Sequence, residues 1–201
     1  MKELLNEIKG EIAGYGYKKS GNSFWKIENG FYKLINFQRG THGDYFFINV
    51  GLHPVGLPSL ITGKLEIKEK PREYECIIRQ RIEEIVPSEM FKKALPPIHD
   101  TDTIREIVAA IPAIDRWLAD WGSFDVLANK DFSELSRMMP IAPILWQKAY
   151  YMLKCYCMIK KRNIPEAKKL FLAYLSENQN MDFSAVDRYM EALLEDCSSM
   201  E

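Results

Sequence analysis

The stretch from Asn29 to Leu52 constrains this chain more than any other. Asn29-Gly30 supplies two residues that tolerate positive φ, as the central positions of a type I′ turn require, and that turn has the twist of a tight hairpin. Apolar and polar residues alternate on either side of it, and alternation with period two describes a half-buried antiparallel meander. The pattern predicts strands over residues 23–28, 31–38 and 44–53, with Arg39-Gly-Thr-His-Gly43 as a longer hairpin loop. This establishes an architecture and names no reaction.

The same period sorts side chains onto two faces. Phe31, Ile35 and Phe37, then Phe46, Ile48, Val50 and Leu52, then Cys76, Ile78 and Ile82 fall on an apolar face. The other face is expected to carry Tyr32, Asn36 and Gln38, then Tyr45, Phe47, Asn49 and His53, then Arg79 and Arg81. Rings beside amides and two arginines make a surface able to stack and to hydrogen-bond. The structural alternative is a polar face covered by helices, with its amides satisfied internally.

Around the meander the chain reads as α+β, strands first and helices after. Leu4, Leu5, Ile8 and Ile12 predict an amphipathic helix over 2–14, ended by Gly14 and Gly16. A fourth strand is expected from Glu73 to about Ile85, on β-branched density. Beyond Pro87 the pattern turns helical. Thr103 with Glu106 reads as a capping box for a helix to about Trp121. A long central helix is expected over 144–162, one over 165–177, and a last one capped by Ser184 and Asp187 that ends near Cys197. The expected organisation is an α+β domain over 1–125 and a helical extension over 126–201 packed on it as one compact unit.

Composition narrows the function classes. A formal net charge of -1 over 201 residues gives no global attraction to phosphate backbones or anionic membranes. Glu3 and Glu7 stand where a signal peptide needs a basic start and an unbroken apolar run. The longest mostly apolar stretch, 149–159, is interrupted by Lys154 and is about half of the ~20 residues a membrane span needs. Cys76, Cys155, Cys157 and Cys197 have no framework spacing and read as free thiols in a cytoplasmic protein.

Motifs of chemistry fail on particular residues. Gly16-Tyr-Lys-Lys-Ser-Gly-Asn-Ser23 lacks the lysine that a phosphate-binding loop needs, and it follows a helix instead of a strand. His99-Asp100-Thr-Asp-Thr103 is preceded by Pro96-Pro97, not by the buried strand that an aspartyl nucleophile needs, so these residues read as helix capping. Cys155 and Cys157 diverge by about 200° on a helix, and His42, His53 and His99 lack ligand spacing, so neither a metal nor a cofactor is expected. The basic run from Lys148 to Lys169 is followed by an acidic last helix, which predicts internal charge compensation over a nucleic-acid patch.

Gly16-Tyr-Lys-Lys-Ser-Gly-Asn-Ser-Phe-Trp25, Leu34-Ile-Asn-Phe-Gln38, Phe47-Ile-Asn-Val-Gly51 and Glu75-Cys-Ile-Ile-Arg-Gln-Arg-Ile82 together resemble a bacterial family, domain of unknown function 4304, over roughly residues 1–125. The resemblance implies a small cytoplasmic α+β protein and carries over no activity and no catalytic residue. The leading expectation is a non-enzymatic module that binds a protein partner through the second sheet face, by analogy with antidote or immunity proteins. Two alternatives stand beside it. One is a hydrolase-like enzyme with His53 as general base and Arg79 or Arg81 stabilising an anion. The other is a weak binder of single-stranded nucleic acid through Tyr32, Tyr45 and Phe47.

Overall fold

A computed structural model describes residues 1–41, 45–60, 65–92, 95, 101–177 and 184–198. The readings made of His42, Gly43, Asp44, Pro96, Pro97, His99 and Asp100, and of the side chains of Ser184 and Cys197, lie outside what is described. Two compact units emerge: Met1–Val55 with Lys70–Gly122, and Gly56–Glu69 with Ser123–Glu201.

The first unit is built on the meander. Strands β1 (Lys18–Ser20), β2 (Ser23–Glu28), β3 (Phe31–Arg39), β4 (Phe46–Pro54) and β5 (Ile78–Arg81) form one antiparallel sheet in that order. Asn29 and Gly30 take φ of 53° and 81°, and Glu28 pairs with Phe31 across them. The expected tight turn is therefore present. The edge strand β1 lies in what reads in the sequence as a glycine-rich connection; Gly21, at φ 58°, lets Ser20 pair with Ser23.

Two expectations about this unit are corrected. Residues 2–14 form two short helices, α1 (Lys2–Glu7) and α2 (Lys9–Gly14), that meet at Ile8, although Leu4, Leu5, Ile8 and Ile12 are all buried as predicted. The proposed strand over 73–85 shrinks to β5, with 3₁₀ turns at Glu73–Glu75 and Ile82–Glu84 on its two sides. The Glu75 carboxylate accepts from the Arg72 backbone N–H at 2.7 Å, which holds the first of these turns and delays the strand.

On the first sheet face Phe24, Phe31, Ile35, Phe37, Phe46, Ile48, Val50, Leu52 and Ile78 are buried. Helix α3 (Thr101–Trp121) adds Ile107, Ile111, Ile114 and Leu118 at helical spacing. It begins two residues before the predicted cap, and Thr103 is buried in its first turn instead of capping it.

The second unit is helical. It contains α4 (Phe124–Asn129), α5 (Phe132–Ser136), α6 (Trp146–Lys160), α7 (Ile164–Glu177) and α8 (Ser184–Ser198). Helix α6 is central, touching α4, α5, α7 and α8, as its nearly all-round apolar sequence predicts. It is shorter than expected. Pro143–Leu145 forms a 3₁₀ turn before it, and Arg162 at φ 58° stops the chain after it. Lys154, read as part of a basic surface, is turned inward, where Nζ donates to the carbonyl oxygens of Ala128 and Lys130. Lys161 pairs with Asp125 of α4 at 2.6 Å, an acid outside the last helix.

Candidate functional site

Register decides which side chains share the second sheet face. Tyr32 stands opposite His53, Asn36 opposite Asn49, and Gln38 opposite Phe47. Asn49 in turn faces Arg81, and Gly51 faces Arg79. Tyr45, one residue before β4, packs its ring edge-on against Phe47 at 5.6 Å. The nine residues singled out by alternation thus lie on one face, but they are not equally accessible. Tyr32, Asn49 and His53 are buried, while Asn36, Arg79 and Arg81 are half-buried.

The segment that leads into β5 accounts for that burial. A Cβ built on Gly51 would stand 2.9 Å from Cys76 Sγ, so the missing side chain lets residues 73–76 lie close on the sheet. Cys76 therefore packs with Tyr32, Leu34, Trp25 and Val55 on the second face. This corrects its placement on the first, because the strand starts only at Ile78 and alternation does not reach back to Cys76. The Ile77 N–H donates to His53 Nδ1 at 3.1 Å, which leaves the proton of a neutral ring on Nε2.

A polar network ties the cover to the strands. Asn49 Nδ2 faces Gln38 Oε1 at 2.9 Å, Glu73 Oε1 at 3.3 Å and Asn36 Oδ1 at 3.4 Å. Asn36 Nδ2 donates to Ser23 Oγ at 2.9 Å. Arg79 reaches Glu73 at 3.1 Å and Gln38 at 3.3 Å. Arg81 lies over the Phe47 ring at 4.2 Å, and burial, then the Arg79 charge, pulls its guanidinium below the usual arginine range.

Beside this network the cover leaves an open cleft of about 440 Å³, lined by Ser20, Ser23, Trp25, Tyr32, Leu34, Asn36 and the connection from Lys70 to Tyr74. Lys70 Nζ sits over the Trp25 ring at 4.4 Å. Arg72 lies over Tyr74 at 5.8 Å and donates to its hydroxyl at 2.7 Å. Sequence reasoning missed Trp25 and Leu34, though both have the parity of the second face, and it missed Lys70, Arg72 and Tyr74, whose return over the sheet has no local signal. Pro71 and Tyr74 carry no periodicity that would announce them.

A second cluster of ionisable groups lies on the first face. Asp115 of α3 receives the Tyr17 hydroxyl at 2.9 Å and Lys26 Nζ at 2.8 Å. Lys33, fully buried, is bonded to Glu28, which also stands 3.5 Å from Lys26. Burial and the Asp115 charge push the Tyr17 hydroxyl far above its usual range, and the hydrogen bond from Lys33 holds Glu28 below its own. These groups are matched in charge, with Lys26 and Lys33 enclosed and Glu28 reaching solvent, so they form a scaffold.

The buried thiols are inert for the same reason. Burial drives Cys76 well above the usual thiol range and pushes Cys155 and Cys157 up to about 12. Among the described residues no group of three His, Cys, Asp or Glu side chains converges on a metal position, and no helix is long and apolar enough to cross a membrane.

In comparison with known proteins, residues 10–120 match the model of one family, described as "Domain of unknown function (DUF4304)". No curated protein matches the chain. No solved structure matches it either.

Proposed function

The chain belongs to the DUF4304 family, and from that premise we propose that it is a non-enzymatic module that holds a protein partner on the second face of its sheet. The observation that carries this reading is the cleft itself, whose groups are of the kind that hold and not of the kind that react. Ser23 has an amide beside its hydroxyl where a nucleophile would need a base. His53, the base of the enzymatic alternative, is buried and engaged through Nδ1 with a backbone N–H. Nucleic-acid stacking is disfavoured because Tyr32 is 5% exposed and one face of the Phe47 ring is taken by Arg81.

Contact area around the cleft supports a macromolecular partner. Ile27, opposite Tyr32 in register, is 53% exposed, and Tyr74 on the rim is 39% exposed. An apolar rim around a buried floor suits the well-packed centre of an interface.

Site-specific photo-crosslinking tests the reading. A photoreactive side chain at position 27 or 74 is expected to yield a discrete protein adduct in the native host. The same group at position 172, on a still more exposed leucine of the helical unit, should not. Adducts of equal yield at all three positions, or at 172 alone, would sink the proposal.

A further inference from the structure

We propose that the partner element seated in this cleft is an extended acidic segment whose carboxylates are held by Lys70 and Arg72; this rests on the binding reading above. Charge partition carries it. The strands place Lys18, Arg79 and Arg81 on the second face, by their pairing with Trp25, Gly51 and Asn49. The cleft wall adds Lys70 and Arg72. Among the described residues of those strands and that wall, the one acid on this face is Glu73, and it is engaged with Arg79 and Asn49. Glu75, whose carboxylate accepts from the Arg72 backbone N–H, and Glu83 beside Arg81 border the face, so five cations stand against three acids, and an anionic occupant complements the excess.

Geometry selects the form of the anion. Lys70 and Arg72 flank Pro71 just after a bend at Glu69 and Lys70, and Arg72 is extended at φ -73° and ψ 162°. Alternate residues of an extended chain are about 6.5–7 Å apart, so two such cations match acids at alternate positions of an extended partner. The cleft floor follows β3 through Tyr32, Leu34 and Asn36, apolar at one end and polar at the other. Residues between the acids would face the Trp25 side, which favours apolar ones there.

The rings decide between a peptide and a nucleic acid. A base stacks best on an unoccupied ring, but Lys70 takes one face of Trp25, Arg81 takes one face of Phe47, and Arg72 holds the Tyr74 hydroxyl. The cationic heads are what the surface presents. They suit a carboxylate better than a stacked base.

The test uses the full chain and fluorescein-labelled octapeptide pools in which Glu alternates with a mixture of Val, Leu, Phe and Tyr. Matched pools carry Gln or Lys in place of Glu, and a labelled dodecathymidine serves as the nucleic-acid probe. The Glu pool should bind at least tenfold more tightly than the Gln pool and weaken as salt is raised. The double variant Lys70→Glu/Arg72→Glu should lose at least tenfold for the Glu pool and gain for the Lys pool. Equal binding of the Gln pool, no binding of any pool, indifference to the double reversal, or tighter binding of the oligonucleotide would each overturn the acidic occupant. The same reversal combined with the photoreactive group at position 27 separates the two readings. Adducts that survive reversal leave the docking face standing and remove the acidic segment, whereas position-independent adducts remove the docking face as well.

Discussion

On the first face of the sheet Lys26 and Lys33 stand among buried rings and aliphatic side chains, and each has an acid, Asp115 at 2.8 Å and Glu28. On the second face five cations, Lys18, Arg79 and Arg81 with Lys70 and Arg72 beside them, meet fewer acids: Glu73 on Arg79, Glu75 at the Arg72 backbone N–H, and Glu83 near Arg81. The difference teaches where each charge belongs. A lysine enclosed between sheet and helix needs its counter-charge within the same chain, because the desolvation of an isolated ion exceeds anything packing can return. A cation at an open cleft keeps its hydration and can wait for a partner.

This contrast is breakable, and the largest effect is expected on the first face. Glu28→Ala leaves the fully buried Lys33 ammonium without its carboxylate and should cost about 3 kcal/mol, measured by denaturant titration. The acid limb should change too. Glu28 is held below its ordinary value of 4.5, so its contribution is fully present above that pH and is lost as pH falls through its folded value. The variant should therefore show a flatter decline of stability below pH 4.5.

On the second face Arg79→Ala should cost about 2 kcal/mol, less than a fully enclosed pair because the arginine side chain is 24% exposed, yet enough to mark it as scaffold for the buried Glu73. A loss below about 0.5 kcal/mol would move Arg79 to the binding surface.

Gly51→Ala should cost about 1–2 kcal/mol, since its Cβ would meet Cys76 Sγ at 2.9 Å. Cys76→Ala in the same chain should recover part of that loss, and a double-mutant cycle reads the coupling. Purely additive effects would mean that the cover does not rest on Gly51.

The smallest effects sharpen the comparison most. Arg81→Ala removes a cation held over Phe47 and should cost about 0.5–1 kcal/mol. Lys70→Gln and Arg72→Gln should leave thermal melting within about 0.5 kcal/mol of the parent. A large loss at either position would place these cations in the scaffold with Lys26 and Lys33.

Much of the second face is legible in the sequence. Asn36, Gln38 and Asn49 form one network, and their parity alone brings them together. Lys33 was harder to read. It has the parity of the apolar face, where a charge reads as an exception, and its burial makes sense only beside Glu28 and the close approach of Gly122, whose Cβ would stand 3.0 Å from Lys33 Cε. The split of the first helix at Ile8 and the shortening of the fourth strand were illegible, because each depends on a single turn that apolar periodicity does not encode.

The amino-acid sequence by itself determined the meander, its register and the sorting of side chains onto two faces. Turn chemistry at Asn29-Gly30 and alternation with period two act between near neighbours, so they can be read residue by residue. Only the tertiary structure decided that the connection before β5 returns over the second face, closing half of it and opening a cationic cleft beside the rest. That return is held by Glu73 on Asn49, Ile77 on His53 and Cys76 above Gly51, contacts made across some 25 residues of chain or permitted by a side chain that is absent. Such contacts form because the folded sheet presents their partners together, and no local pattern in the sequence can announce them.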